Sequence, residues 1–114
     1  MVIRKSDDQS PTISSFSAND SSVELKTSSQ TQTVVFTVVA SDNVAINTVS
    51  IPGATLSSVN GGTYVFTRTY AYNDFAFGTT LNTNTVTVTD TTGNVTTDTV
   101  DVTVIKTDNQ DPVI

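Results

Sequence analysis

From Thr83 to Thr89 every second residue is threonine, and Val34, Phe36, Val38 and Ala40 recur at the same spacing. A two-residue period places alternate side chains on opposite faces of an extended strand, whereas a helix repeats about every 3.6 residues. Threonine fills about a fifth of the chain. Its β-branched side chain packs well on a pleated surface and poorly in a helix. A chain written this way is confined to all-β folds, and its 114 residues suffice for one domain with one core.

Period and turn residues together predict strands over residues 11–16, 32–40, 45–51, 54–59, 63–70, 81–89 and 95–106. Pro11 opens the first strand, where its missing N–H is tolerated, and residues 23–26 read as a short edge continuation of it. The second strand is apolar on both faces through Val35 and Val39, which predicts a central position. Asn60-Gly61-Gly62 tolerates positive φ and predicts a hairpin. Residues 71–80 form the longest connection, with Phe75 and Phe77 expected to plug one end of the core. Val95 is out of phase with Val100, Val102 and Val104, so a bulge is expected near residues 96–98. Seven antiparallel strands bounded by turns predict an immunoglobulin-like Greek-key sandwich of two sheets. A jelly roll would need an eighth strand.

The end of the chain repeats its beginning. Lys106-Thr107-Asp108-Asn109-Gln110-Asp111-Pro112-Val113-Ile114 aligns with Lys5-Ser6-Asp7-Asp8-Gln9-Ser10-Pro11-Thr12-Ile13 at an offset of 101 residues. Lys, Asp, Gln, Pro and Ile recur in register. A chain that ends as it begins reads as one unit of a tandem array. Residues 1–10 then belong to the end of a preceding repeat and its linker, 11–107 to the sandwich, and 108–114 to the linker and start of the next repeat.

The chain has no Cys and no His, which removes thiol and imidazole nucleophiles, thiolate zinc sites and disulfides. No Ser lies in a Gly-x-Ser-x-Gly turn, and no paired carboxylates face a cleft, so no enzyme is expected. A net charge of −6 disfavours nucleic acid and anionic membrane surfaces as partners. No stretch has the apolar length of a membrane span, so no direct membrane insertion is expected. Ten of the eleven acidic residues are Asp, and only Asp98 and Asp101 fall within a predicted strand. Asp is a common turn residue, but an odd number of antiparallel strands sorts these loops to two ends. The top gathers Asp7, Asp8, Asp42, Asn43, Asp90 and Asn94. The bottom gathers Asn19, Asp20, Asn73, Asp74, Asp108, Asn109 and Asp111. Clustered carboxylates repel unless a cation sits among them, and an all-oxygen donor set suits Ca²⁺. The candidate metal ligands are therefore Asp7, Asp8, Asp42, Asn43, Asp90, Asp20, Asp74, Asp108, Asn109 and Asp111.

Asp108-Asn109-Gln110-Asp111-Pro112 resembles the calcium-binding interdomain linker of cadherins. Val39-Ala40-Ser41-Asp42-Asn43, followed by Asn47, resembles the cadherin loop that joins the second and third strands. Asp90-Thr91-Thr92-Gly93-Asn94 before a Thr/Val strand resembles the last turn of bacterial immunoglobulin-like repeats. The whole chain is similar to the extender repeats of long bacterial surface adhesins, including the calcium-dependent repeats-in-toxin type. It departs from cadherins in lacking a clear Asp-Arg-Glu before the sixth strand. The resemblance implies a non-catalytic spacer on the bacterial cell surface, rigidified by Ca²⁺ at its junctions. Its partners would be neighbouring copies of the same repeat, and a single copy would be monomeric. The alternative is a carbohydrate- or ice-binding module using Thr83, Thr85, Thr87 and Thr89 with Thr97, Thr99 and Thr103, or the tyrosines Tyr64, Tyr70 and Tyr72.

Overall fold

The structure, a computed structural model, describes residues 9–108. The candidate ligands Asp7, Asp8, Asn109 and Asp111 lie outside the described residues. Within them are eight strands and one 3₁₀ turn: β1 Thr12–Ala18, β2 Ser22–Leu25, β3 Thr31–Ser41, β4 Ile46–Ser50, β5 Thr55–Asn60, β6 Thr63–Ala71, the turn Tyr72–Asp74, β7 Gly78–Asp90 and β8 Val95–Lys106. They form two four-stranded sheets, ordered β1-β3-β6-β5 and β2-β8-β7-β4. The protein is an all-β sandwich.

The two-residue period decides which atoms meet between the sheets. Val34, Phe36, Val38 and Ala40 of β3 and Phe66 and Tyr70 of β6 face Val86 and Val88 of β7 and Val102 and Val104 of β8. All are buried. Each such aliphatic or aromatic side chain contributes about 1.5–3 kcal/mol by leaving water. As its apolar faces predict, β3 is central, flanked by β1 and β6.

The first predicted strand behaves differently from expectation, which raises the count from seven to eight. It splits at Asn19. The backbone N–H of Asn19 donates to Val35 O at 2.9 Å and its side-chain Oδ1 accepts from Val35 N at 2.8 Å. Asp20 then closes the crossing, accepting from Ser22 N at 3.1 Å and Gln32 Nε2 at 2.8 Å. β2 enters the other sheet and pairs parallel with β8, from Ser22↔Thr103 to Leu25↔Lys106. The expectation of purely antiparallel pairing fails here for a directional reason. A run antiparallel to β3 points the same way as β8, so it can join sheet two only in parallel. Val23 and Leu25 are fully buried as a result.

Two smaller expectations also change. The β7–β8 register runs without a shift from Gly78↔Lys106 to Thr89↔Val95, so β8 carries no bulge near residues 96–98. Val95 simply faces outward, 51% exposed, while Thr96 turns inward and donates to Pro11 O at 2.6 Å. Phe75 does pack against the core, 5.8 Å from Tyr70, but Phe77 is 63% exposed.

Candidate functional site

Chain direction assigns the loops to two poles. At the top, the β3–β4 loop, the β7–β8 turn and the segment leading into β1 are bonded together. Thr91 N donates to Ala45 O at 3.2 Å, and Asn94 Nδ2 donates to Gln9 O at 3.2 Å. Asp42, Asn43, Asp90 and Asn94 therefore share this pole, as the strand parity predicts. β1 and β2 make one traverse between them, so the eighth strand leaves that parity intact.

The two top carboxylates have opposite surroundings. Asp90 is buried at the start of its turn and accepts from Thr92 N at 2.9 Å, Thr92 Oγ1 at 3.0 Å, Asn94 N at 2.9 Å and Asn94 Nδ2 at 3.0 Å. Gly93, at φ +93°, lets the chain close around it. Burial pushes the Asp90 pKa up, but the donors of Asn94 and Thr92 outweigh it and hold the carboxyl well below the usual range. Both Asp90 oxygens are engaged by their own turn. In Asp42, Oδ2 accepts from Val44 N at 3.1 Å, while Oδ1 is buried with no hydrogen-bond partner among the described residues. An oxygen in that position suits a cation, since an unpaired buried acceptor is costly. Asn43 beside it is exposed. Among the described residues, no three Asp or Glu converge on a common point.

At the bottom, Asp74 ends the 3₁₀ turn and is exposed, as is Asp108 just past β8. Asp20 is spent on the crossing described above. The feature that sequence reading missed here is Lys106. Its Nζ donates to Phe75 O at 2.9 Å and lies 4.0 Å from the Tyr72 ring centroid and 4.7 Å from that of Phe77. Phe77 stands edge-on to Tyr72 at 6.1 Å. This clamp holds the exit of β8, helped by Thr107, whose N–H donates to Leu25 O at 3.0 Å and whose carbonyl accepts from Tyr72 Oη at 3.4 Å. Its signal was an aromatic-rich loop beside a strand-terminal lysine.

A polar group also crosses the interior below the short strands β4 and β5. Arg68 Nη1 donates to Asn84 Oδ1 at 2.9 Å, and its guanidinium lies 5.0 Å over the Tyr70 ring. Tyr70 Oη donates to Asn82 Oδ1 at 2.7 Å and accepts from Asn84 Nδ2 at 3.2 Å. Buried in this network, Tyr70 offers no platform for a sugar. The threonine ladder is in register across sheet two: Thr85↔Thr99, Thr87↔Thr97, Ser50↔Thr87 and Thr48↔Thr89. No protein-family model matches the chain, and no curated protein or solved structure matches it either.

Proposed function

We propose that this chain is a structural extender repeat of a long bacterial cell-surface adhesin, stiffened by Ca²⁺ where successive copies meet. One observation carries the reading: the described chain enters at one pole and leaves at the other, and its two ends repeat each other in sequence. Gln9 is held at the top by Asn94, and Thr107 at the bottom by Leu25 and Tyr72. β7 spans 13 residues between those poles, which is about 40 Å of reach per copy. The strand order supports an immunoglobulin-like Greek key, with the first traverse shared between the sheets.

The ion would bind through Asp42 Oδ1 and Asn43, with the linker acids Asp7 and Asp8 supplying further oxygens. Ca²⁺ accepts six to eight such ligands with loose geometry, and extracellular modules of this kind bind it at about 10⁻⁴–10⁻³ M. Its task is mechanical, since a flexible linker's span grows only as the square root of its length. Small-angle scattering of a four-copy chain should show a rod in millimolar calcium and a shorter average span in chelator. An equal span in both removes the ion from the account.

A second reading, a module that binds ice or carbohydrate, is favoured by the hydroxyl ladder shared by β4, β7 and β8. Replacing Thr85 and Thr87 with Ala should leave the fold and any array length unchanged. Measurable ice or glycan binding that this change abolishes would favour the second reading.

A further inference from the structure

Phe77 is 63% exposed at the bottom pole yet fixed in place by Tyr72 and Lys106. At the top pole Val44 is 60% exposed and Val95 51%. Val44 is held through its N–H by Asp42, and Val95 follows Asn94, which anchors the incoming chain. Large apolar groups held rigid in water lose little entropy when covered, which makes them good contact points.

The repeat register says what covers them. Thr107 is tied to its own copy, and in the repeat Gln110 takes the place of Gln9, a residue tied to Asn94. Only Asp108 and Asn109 lie between. Three Cα steps span at most about 11 Å, so successive poles cannot stay apart by more than one side-chain layer. We infer that adjacent copies dock directly, the Phe77 face of one against Val44 and Val95 of the next, with the apolar contact present before any ion binds. This rests on the extender reading and adds a partner surface to it.

The chain has no cysteine, which permits a clean test. Two copies are joined as residues 1–114 followed by 14–114, so that Ile114 takes the place of Ile13. Phe77→Cys in the first copy is combined with Val44→Cys or Val95→Cys in the second, or with Leu56→Cys, an exposed control on β5. A disulfide should form nearly completely in at least one of the two polar pairs, in calcium and in chelator alike, and only in trace with Leu56→Cys. Absence of both polar crosslinks, equal crosslinking of the control, or crosslinking that needs calcium would each overturn apolar docking. Scattering from the same chain separates the two proposals: an extended particle without the crosslink leaves the extender reading standing, and a collapsed one removes it too.

Discussion

Asp90 carries its charge inside a turn that directs four donor contacts at it, and the pH dependence of that arrangement has a definite sign. Its folded pKa lies below the ordinary 3.8 because the Asn94 and Thr92 donors outweigh the opposing effect of burial. A depressed folded pKa means stability that is complete above the unfolded value and drains away as pH falls through and below it. The melting temperature should therefore decline as pH drops from about 5 towards 2. Asp90→Asn points an amide at donors, so it should lower the midpoint at pH 7 and flatten the acid decline. Circular dichroism melts at several pH values test this, and parallel curves for the two proteins would sink it. Sequence reading found this turn from Asp90-Thr91-Thr92-Gly93-Asn94 but not that the Thr92 and Asn94 donors engage both carboxylate oxygens, because that depends on the fold of the turn.

At the scale of elements, turn residues and period carried most of the bounds. β3, β4, β5, β6 and β8 lie within a residue of their expected bounds, β5 although all of its residues are exposed, whereas β7 begins three residues before the expected start at Leu81. The hairpin at Asn60-Gly61-Gly62 was legible as well. Gly61 has φ +61°, and a Cβ on Gly62 would come within 2.7 Å of Ala40 O. β2 escaped as a separate strand because four residues with two apolar side chains look like the tail of their neighbour. Only the crossing at Asn19 and Asp20 shows that they change sheets. The bulge expected in β8 came from assuming that Val95 must face inward, whereas the inward place there is taken by Thr96 and its bond to Pro11. Leu25 measures what the crossing contributes, since it is fully buried although it lies on an edge strand. Leu25→Ala should cost about 3 kcal/mol in urea unfolding. A loss below about 0.5 kcal/mol, the level of an ordinary surface change, would mean that β2 merely rests on the sandwich. Edges are also guarded: β2 pairs with β8 only from Thr103 to Lys106, and the two strand aspartates, Asp98 and Asp101, are exposed beyond that pairing.

For the whole molecule the question is whether the poles are ordinary loop ends or halves of a joint, and Asp42 separates the two cases through opposite signs. Its Oδ2 makes a turn contact that a serine hydroxyl could replace, while its buried Oδ1 has no partner among the described residues. If a cation belongs there, the metal-free chain bears the desolvation of that oxygen without compensation. Asp42→Ser should then stabilise a single copy in chelator by about 1 kcal/mol. The same change should abolish the rise in melting temperature that calcium gives a two-copy chain, an effect expected because an ion that binds only the folded form stabilises it. Asp90→Asn should do the reverse, weakening every copy while leaving the calcium response in place. Thermal melts of the three proteins, each in calcium and in chelator, provide the comparison. Should Asp42→Ser destabilise the metal-free copy and leave the calcium response intact, the orphaned oxygen has no ion to wait for. The poles would then be held by the short linker and the Phe77 face alone.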